Sequence, residues 1–158
     1  MKLEELLSIF GHLIDSEKVT KFLAQYDSFK VERPSDGSQY VISEELGVDL
    51  LFRPDDGPQG GKSKHLRKCQ SAFLYSQGRD DHEQYEGEIP LGFAFSDSRE
   101  KIIENHKPER TWKIGQGEVS IDFPTPSHDR WAFGNLLVSA HYNKSGKIMY
   151  FIVSANNA

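Results

Sequence analysis

Five carboxylates crowd around one tyrosine in the segment RDDHEQYEGE, the part of the sequence richest in residues that could do chemistry. They are Asp80, Asp81, Glu83, Glu86 and Glu88, and Tyr85 lies among them. Such a cluster creates a negative field that attracts a basic partner and speeds association. Tyrosine is enriched among the residues that dominate binding energies, so the pattern predicts a partner-binding loop with Tyr85 as an exposed anchor. A solvated acidic loop without a partner is the alternative.

Other familiar site patterns are incomplete in this sequence. In the segment GPQGGKS, a phosphate-binding loop would need glycine five positions before Gly61, where the sequence has Asp56. The acidic segment lacks the spacing of a twelve-residue calcium loop. The six histidines include no i, i+4 pair of the kind that binds a metal on a helix. The sequence therefore predicts no metal, no cofactor and no catalytic residues.

Cys69 is the only cysteine, which excludes an internal disulfide. The neighbouring Lys68 could lower its pKa, but Cys69 precedes the apolar segment SAFLY, which favours a packed structural thiol. The N-terminus is acidic and amphipathic rather than a signal peptide, and no apolar run reaches the ~20 residues of a membrane span. These features predict a cytoplasmic protein that does not enter a membrane.

The formal charge of −5 argues against a nucleic-acid binder, which would present a basic face, and leaves a basic protein partner open. A chain of 158 residues is expected to form one domain, residues 1–158. The aromatic content of 11% suits a β-rich core.

The elements that must position the acidic loop change character along the chain. Residues 1–27 form the helical part: apolar residues recur from Leu3 to Ile14 at spacings of three and four, and Asp15 or Ser16 caps a second helix. After Pro34 the apolar period becomes two, which predicts antiparallel strands through residues 38–158. Two loops without apolar periodicity, 54–68 and 77–88, interrupt them.

The stretch from Pro90 to His106 is the predicted centre of the fold. Leu91, Phe93 and Phe95 alternate with small residues, as in a half-buried strand. Ser96 or Asp97 then caps a short helix, 97–106, in which Glu100 completes the capping box. The predicted fold class is therefore α+β: an antiparallel β-sheet meander with two N-terminal helices and one short inserted helix packed on it.

A family resemblance adds to this interpretation. The residues from Tyr85 to Arg99, YEGEIPLGFAFSDSR, are followed by Trp131 and by the closing strand pair SAHYNKSGKIMYFIVS. This order resembles small bacterial immunity-type proteins of polymorphic toxin and contact-dependent inhibition systems, which carry a similar Leu-Pro, Phe and Ser-Arg pattern before a short helix. The layout is also similar to the outer-membrane assembly lipoprotein and β-lactamase-inhibitor-like folds. The resemblance covers about residues 70–154, and after the short helix only Pro108 matches the usual Leu-Gly-x-Pro.

The resemblance implies a binding protein without catalytic residues that neutralises a cognate toxin domain. Immunity proteins against nuclease toxins are frequently acidic, so a basic nuclease domain is the implied partner of the acidic loop. The predicted function is thus a toxin-binding immunity or inhibitor protein that binds neither nucleic acid nor membrane. A small-molecule-binding or uncharacterised enzymatic α+β domain is the alternative.

Overall fold

The structure, a computed structural model, describes residues 1–55 and 66–156, and one nine-stranded antiparallel sheet dominates these ranges. The strands are β1 (Lys30–Val31), β2 (Gln39–Ser43), β3 (Val48–Arg53), β4 (Lys68–Tyr75), β5 (Arg110–Lys113), β6 (Gly117–Val119), β7 (His128–Phe133), β8 (Leu136–Tyr142) and β9 (Ile148–Ala155). The helices are α1 (Leu3–Leu7), α2 (Glu17–Ala24) and α3 (Arg99–Asn105), with single 3₁₀ turns at Arg79–Asp81 and Pro90–Gly92.

The order of strands across the sheet is β1-β2-β3-β4-β9-β8-β7-β5-β6. The last strand of the chain lies in the middle, where it pairs with β4 on one side and with β8 on the other. The chain therefore leaves β4 and crosses to the far half of the sheet through residues 76–109. This long connection contains the acidic loop and α3, so the pairing of β4 with β9 decides where both lie.

The α+β class predicted from the sequence is wrong, because the sheet accounts for most of the regular structure. The three α-helices have only five, eight and seven residues. The strand order is also not that of a meander, since β9 separates β4 from β8 and β5 lies between β7 and β6. The prediction of an antiparallel sheet is confirmed: every strand pair in the described ranges is antiparallel.

The first predicted helix is much shorter than its apolar stripe. It ends at Leu7, and the following residues turn through Gly11, whose φ of 81° favours glycine. Phe10 and Leu13 then form isolated β-bridges with the start of β4. Apolar residues at spacings of three and four are residues that face the core. Here the turns and bridges after Leu7 bury them as a longer helix would. The second helix is confirmed, since the Ser16 side chain caps it by accepting from the Val19 backbone N–H at 3.3 Å.

The strand predicted at Leu91–Phe95 is also absent. Pro90 begins a 3₁₀ turn in which Leu91 has a positive φ of 65°. The phenylalanines nevertheless pack inward: Phe93 meets Trp131 edge-to-face and stacks on Phe151. The residue that caps α3 is Ser98, one position after the predicted Asp97, and its side chain accepts from the Lys101 backbone N–H. The Asp97 side chain instead accepts from the Ala94 N–H. The alternation that predicted a strand reflects burial of an irregular segment.

The helices cover one face of the sheet, where the hydrophobic core lies. Leu6, Val19, Phe22 and Ile102 from the helices pack there against the inward side chains of the strands. On β9, Phe151 and Val153 face this core. Because side chains alternate along a strand, the neighbouring Tyr150 and Ile152 point to the second face, which the helices do not cover.

Candidate functional site

The acidic loop is fastened to the sheet by backbone hydrogen bonds at its second half. The N–H of Glu83 donates to the carbonyl of Glu44 at 2.8 Å, and the N–H of Tyr85 donates to the carbonyl of Tyr75 at 2.9 Å. Within the loop, the Gln77 side chain bonds Glu83 and the Gln84 backbone N–H. The end of the loop is bonded to the sheet at Tyr85, and its start is bonded to its second half through Gln77. The backbone that carries the carboxylates is therefore fixed.

A tight approach of backbones makes this attachment possible. The β2–β3 turn reaches Gly47, where φ is +71°. A Cβ at this position would lie 2.3 Å from the Glu83 carbonyl oxygen and 2.6 Å from the Tyr85 nitrogen. Any side chain would therefore push the acidic loop away from the turn. Glycine at position 47 is required both by its own conformation and by the loop packed on it.

The strongest anchor of the loop is the imidazole of His82, which the sequence analysis did not single out. It is 4% exposed, stacks on the Tyr75 ring at 4.0 Å between centroids, and places Nε2 2.7 Å from Oδ1 of Asp49. Asp49, on β3, also accepts a hydrogen bond from the Tyr75 hydroxyl at 2.9 Å. His82 therefore ties the loop to two neighbouring strands at once.

The hydrogen bonds of His82 reveal where its protons lie. Nδ1 is 2.8 Å from the backbone oxygen of Asp80, which can only accept, so Nδ1 carries a hydrogen. Nε2 can bond to the Asp49 carboxylate only if a second proton lies between them. Burial lowers the pKa of His82, but the hydrogen bond and charge of Asp49 outweigh burial and raise the pKa above its usual value. Burial also raises the pKa of Asp49, so the buried pair holds one proton between Nε2 of His82 and the Asp49 carboxylate.

The predicted site residues do not all lie together. Asp80, Asp81 and Glu83 are exposed on the outer side of the loop. Glu86 lines a cleft on the other side, and Glu88 turns toward the N-terminus, where its Oε2 accepts from the Leu3 N–H at 3.3 Å.

Tyr85 contradicts the sequence prediction of an exposed anchor. It is 3% exposed, and its hydroxyl donates to the Glu88 backbone carbonyl at 3.0 Å. Burial raises its pKa well above the ordinary value, and the charge of Glu88 adds to this effect. Burying an aromatic ring against the core stabilises the protein more than leaving the ring exposed among carboxylates. Tyr85 is therefore a structural support of the loop and not its contact residue.

Two further carboxylates join the exposed part of the loop. Glu44 and Glu45 are exposed in the β2–β3 turn. This turn lies beside Glu83, because the Glu44 carbonyl accepts the hydrogen bond from the Glu83 N–H. We call the resulting set the acidic surface: Glu44, Glu45, Asp80, Asp81 and Glu83. In the part of the chain that the structure describes, the one ion pair made by this set joins Arg79 Nε to Asp80 Oδ2 at 3.8 Å. The surface thus presents a largely uncompensated negative charge.

A cleft of about 1670 Å³ opens on the inner side of the acidic loop. One wall is formed by residues 84–87 of the loop and by residues 93–100, which lead into α3. The opposite wall is formed by the β8–β9 turn, by Lys113 and Ile114, and by residues 124–127. The acidic loop thus separates the acidic surface from this cleft.

One wall of the cleft is held in place by a second buried carboxylate. Asp129 on β7 is fully buried and accepts a bidentate pair of hydrogen bonds from Arg99 at 2.7 and 3.0 Å. The hydroxyls of Thr111 and Tyr142 donate to it at 2.5 and 2.7 Å. Because Arg99 is the first residue of α3, this cluster fixes the helix to three strands. Both oxygens of the buried carboxylate accept hydrogen bonds within the protein.

The second face of the sheet carries a row of stacked rings. Trp112, His128, His141 and Tyr150 lie on adjacent strands in register, with 4.6 Å between successive ring centroids and interplanar angles of 15–17°. Burial lowers the pKa of His128, and it lowers the pKa of His141 to about 3, with the neighbouring His128 adding to the effect. Both imidazoles are neutral near pH 7 and stabilise the sheet as cross-strand pairs.

Metal and thiol chemistry find little support in the structure. Within residues 1–55 and 66–156, no group of three or more histidine, cysteine, aspartate or glutamate side chains is arranged to hold a metal ion. Cys69 is buried, which raises its pKa to about 12, so the prediction of a packed structural thiol is confirmed. The segment GPQGGKS lies outside the described residues. None of the described helices is long and apolar enough to cross a bilayer.

Sequence signals for part of this site were available. His82 lies inside the acidic segment, but nothing in its neighbourhood names Asp49 as its partner, 33 residues earlier. Each of β7, β8 and β9 carries one ring of the stacked row, but the register that brings these rings together depends on strand pairing.

Comparison with known proteins identifies a fold and no family. No protein-family model matches the chain, and no curated protein sequence matches it. An extracellular protein containing a SCP domain from Bacillus anthracis str. Ames superposes with a TM-score of 0.59 and 10% identity over 96% of this chain and 45% of that one. A cysteine-rich secretory protein from Staphylococcus aureus subsp. aureus Mu50 gives a TM-score of 0.55 and 10% identity over 94% of this chain and 45% of that one. This chain spans less than half the length of either structure, and the likeness shows a shared fold alone.

Proposed function

We propose that this chain is a non-enzymatic binding protein of the immunity type, which neutralises a basic toxin domain in the cytoplasm by covering it with the acidic surface. The observation that carries the proposal is the acidic surface itself: five exposed carboxylates with one weak ion pair among the described residues. A negative surface of this kind attracts a basic partner and raises the association rate. The sequence resemblance to immunity-type proteins supports the same conclusion.

The attachment of the loop adds to this support. The carboxylates are carried on a backbone that is tied to β2, β3 and β4 before any partner arrives. A partner therefore does not have to order the loop, and the entropy that ordering would cost is not lost on binding. The protein would bind as a preformed negative surface rather than as a flexible acidic tail.

The alternative of a small-molecule or enzymatic domain would use the cleft behind the loop. Its volume of about 1670 Å³ exceeds the ~300–1,000 Å³ typical of small-molecule sites. Arg99, a cation on its wall, is already paired with Asp129. Both observations favour a macromolecular partner over a small ligand.

The test is binding and protection with the protein encoded by the adjacent upstream gene. The two are co-expressed, and both co-purification and growth of the host are measured. Reversal of Asp80, Asp81 and Glu83 to lysine is expected to slow association about tenfold or more at low salt and to weaken its salt dependence. Reversal of Glu4, Asp15 and Glu104, which are exposed elsewhere, makes the same charge change and serves as the control.

Two results would overturn the proposal. One is a neighbour that neither binds this chain nor inhibits growth when expressed alone. The other is a loop variant that folds normally, as judged by its circular dichroism, and binds as fast as the control variant.

A further inference from the structure

The cleft behind the acidic loop has walls of opposite charge. Glu86 from the loop and Glu100 from the first turn of α3 lie on one wall. Lys144 and Lys147 from the β8–β9 turn lie on the other. The cleft is therefore polarised across its width, from carboxylates on the side of the loop to ammonium groups on the side of the hairpin.

These four charges have no ion-pair partner among the described residues, and they do not reach each other across the cleft. The other charged side chains of the walls are engaged. Asp97 pairs with Lys101 at 3.0 Å, and Lys113 donates to the Thr125 carbonyl at 2.7 Å. The charged side chains of the cleft left with neither an ion pair nor a side-chain hydrogen bond among the described residues are thus two carboxylates and two ammonium groups.

An apolar side chain stands on the same wall as the two lysines. Ile114, at the tip of the β5–β6 turn, is 83% exposed. Its backbone N–H donates to the Ser127 hydroxyl at 2.7 Å, and the turn is closed by a bond from the Gln116 N–H to the Lys113 carbonyl. The turn therefore holds Ile114 out toward solvent. On the floor of the same cleft, Phe95 is partly buried against Phe151.

The dimensions of the cleft fit a chain segment better than a small ligand. Its volume of about 1670 Å³ lies above the ~300–1,000 Å³ range of small-molecule pockets. Its acidic wall is the inner side of the same loop whose outer side carries the acidic surface. A protein that covers the outer side of the loop can reach the cleft by extending a segment past residues 84–87.

We propose that the cleft binds an extended polypeptide segment of mixed charge, with basic side chains toward Glu86 and Glu100 and acidic side chains toward Lys144 and Lys147. An apolar side chain of the segment packs against Ile114. The inference rests on the proposed function in one respect, that the segment belongs to the protein bound at the acidic surface. The charge pattern of the segment follows from the cleft alone, because unpaired charges select a partner of complementary charge.

The experiment uses a phage-displayed library of random twelve-residue peptides, selected against the full-length chain. The inference expects enrichment of peptides that carry both charge signs on either side of an apolar residue. One selected peptide is then labelled, and its affinity for variants of the chain is measured by fluorescence anisotropy. Lys144→Glu with Lys147→Glu, and separately Glu86→Lys with Glu100→Lys, are each expected to weaken binding about tenfold or more.

A reversal of both walls at once sharpens the test. The variant with all four substitutions is expected to lose the original peptide and to bind a peptide whose charges are interchanged. Ile114→Ser is expected to weaken both peptides. Lys18→Glu with Lys21→Glu, on the exposed side of α2, is the control and is expected to leave affinity unchanged within about twofold.

The inference is overturned if no mixed-charge peptide is enriched, or if the selected peptide binds the wall variants as tightly as the original chain. The assay needs no toxin, so its failure is separate from failure of the proposed function. Reversal of Asp80, Asp81 and Glu83 is expected to leave peptide affinity unchanged within about twofold while slowing association with the toxin. Failure of the original chain to bind the toxin, with peptide binding intact, would overturn the proposed function alone.

Discussion

Two buried aspartates lie on opposite faces of the sheet, and the protein neutralises them with different cations. Asp129 faces the core and pairs with Arg99, and it also accepts from Thr111 and Tyr142. Asp49 faces the other way and pairs with His82. Each also accepts from a tyrosine hydroxyl, so the two sites have nearly the same composition.

The difference between the cations decides what each site can do. Arginine keeps its charge at every physiological pH, so the Asp129 cluster holds α3 in place irrespective of pH. Histidine can lose its proton, so the attachment of the acidic loop to Asp49 depends on pH. The fold therefore secures its core with a permanent charge and secures the acidic surface with a titratable one.

The largest expected effect comes from removing the buried carboxylate of the core. Asp129→Ala leaves Arg99 without its partner in the interior and is expected to lower the free energy of unfolding by about 3–5 kcal/mol. Urea denaturation followed by tryptophan fluorescence measures this. Asp122→Ala, an exposed aspartate in the loop before β7, is the control and is expected to stay within about 0.5 kcal/mol. Equal stability of the two variants would show that the cluster does not hold the fold together.

A smaller effect is expected when the titratable anchor is replaced. His82→Gln keeps a donor for Asp49 but removes the charge, so we expect a loss of about 1–3 kcal/mol in the free energy of unfolding. Because the folded-state pKa of His82 is raised, its stabilising contribution is complete below the unfolded value of about 6.5 and is lost as pH rises through the folded pKa. The free energy of unfolding of the original chain should therefore be lower at about pH 9 than at about pH 6, and this difference should be smaller in the variant. Urea denaturation at the two pH values measures it.

His12→Gln is the matched control for this pH dependence, because His12 is exposed. It should keep the decline of the original chain between the two pH values. If His82→Gln declined as steeply as His12→Gln, the proton of the Asp49–His82 pair would not contribute to stability.

A third expected effect concerns the stacked rings, and its pH dependence has the opposite sign. Burial lowers the pKa of His141 to about 3, so the folded protein resists a proton that the unfolded chain accepts below about pH 6.5. Stability is therefore lost as pH falls from about 6.5 toward 3, and His141→Phe should make this acid decline shallower while keeping a ring between His128 and Tyr150. Thermal unfolding at several pH values between about 4 and 7 measures the slope. An unchanged slope would mean that His141 is not the group responsible.

Much of the local structure followed from the sequence. The helix capped by Ser16 and the antiparallel strands after Pro34 agree with the prediction, because caps and period-two alternation act over a few residues. In the turn that joins the closing strand pair, the Asn143 side chain accepts from the N–H groups of Ser145 and Lys147. The strand predicted at Leu91–Phe95 failed because alternation records burial, and an irregular segment can be buried in the same pattern.

The sequence by itself determined that the chain has an acidic loop and that β-strands follow its N-terminal helices. Only the tertiary structure decided that Tyr85 is buried and that His82 reaches Asp49, which binds the acidic loop to the sheet. It also decided that the loop has an acidic outer side and a cleft behind it. The physical reason is that alternation specifies which side chains share a face but not which strands become neighbours. The pairing of β4 with β9 sets those neighbours through hydrogen bonds between residues about eighty positions apart in the chain, such as the one joining the hydroxyls of Ser71 and Ser154.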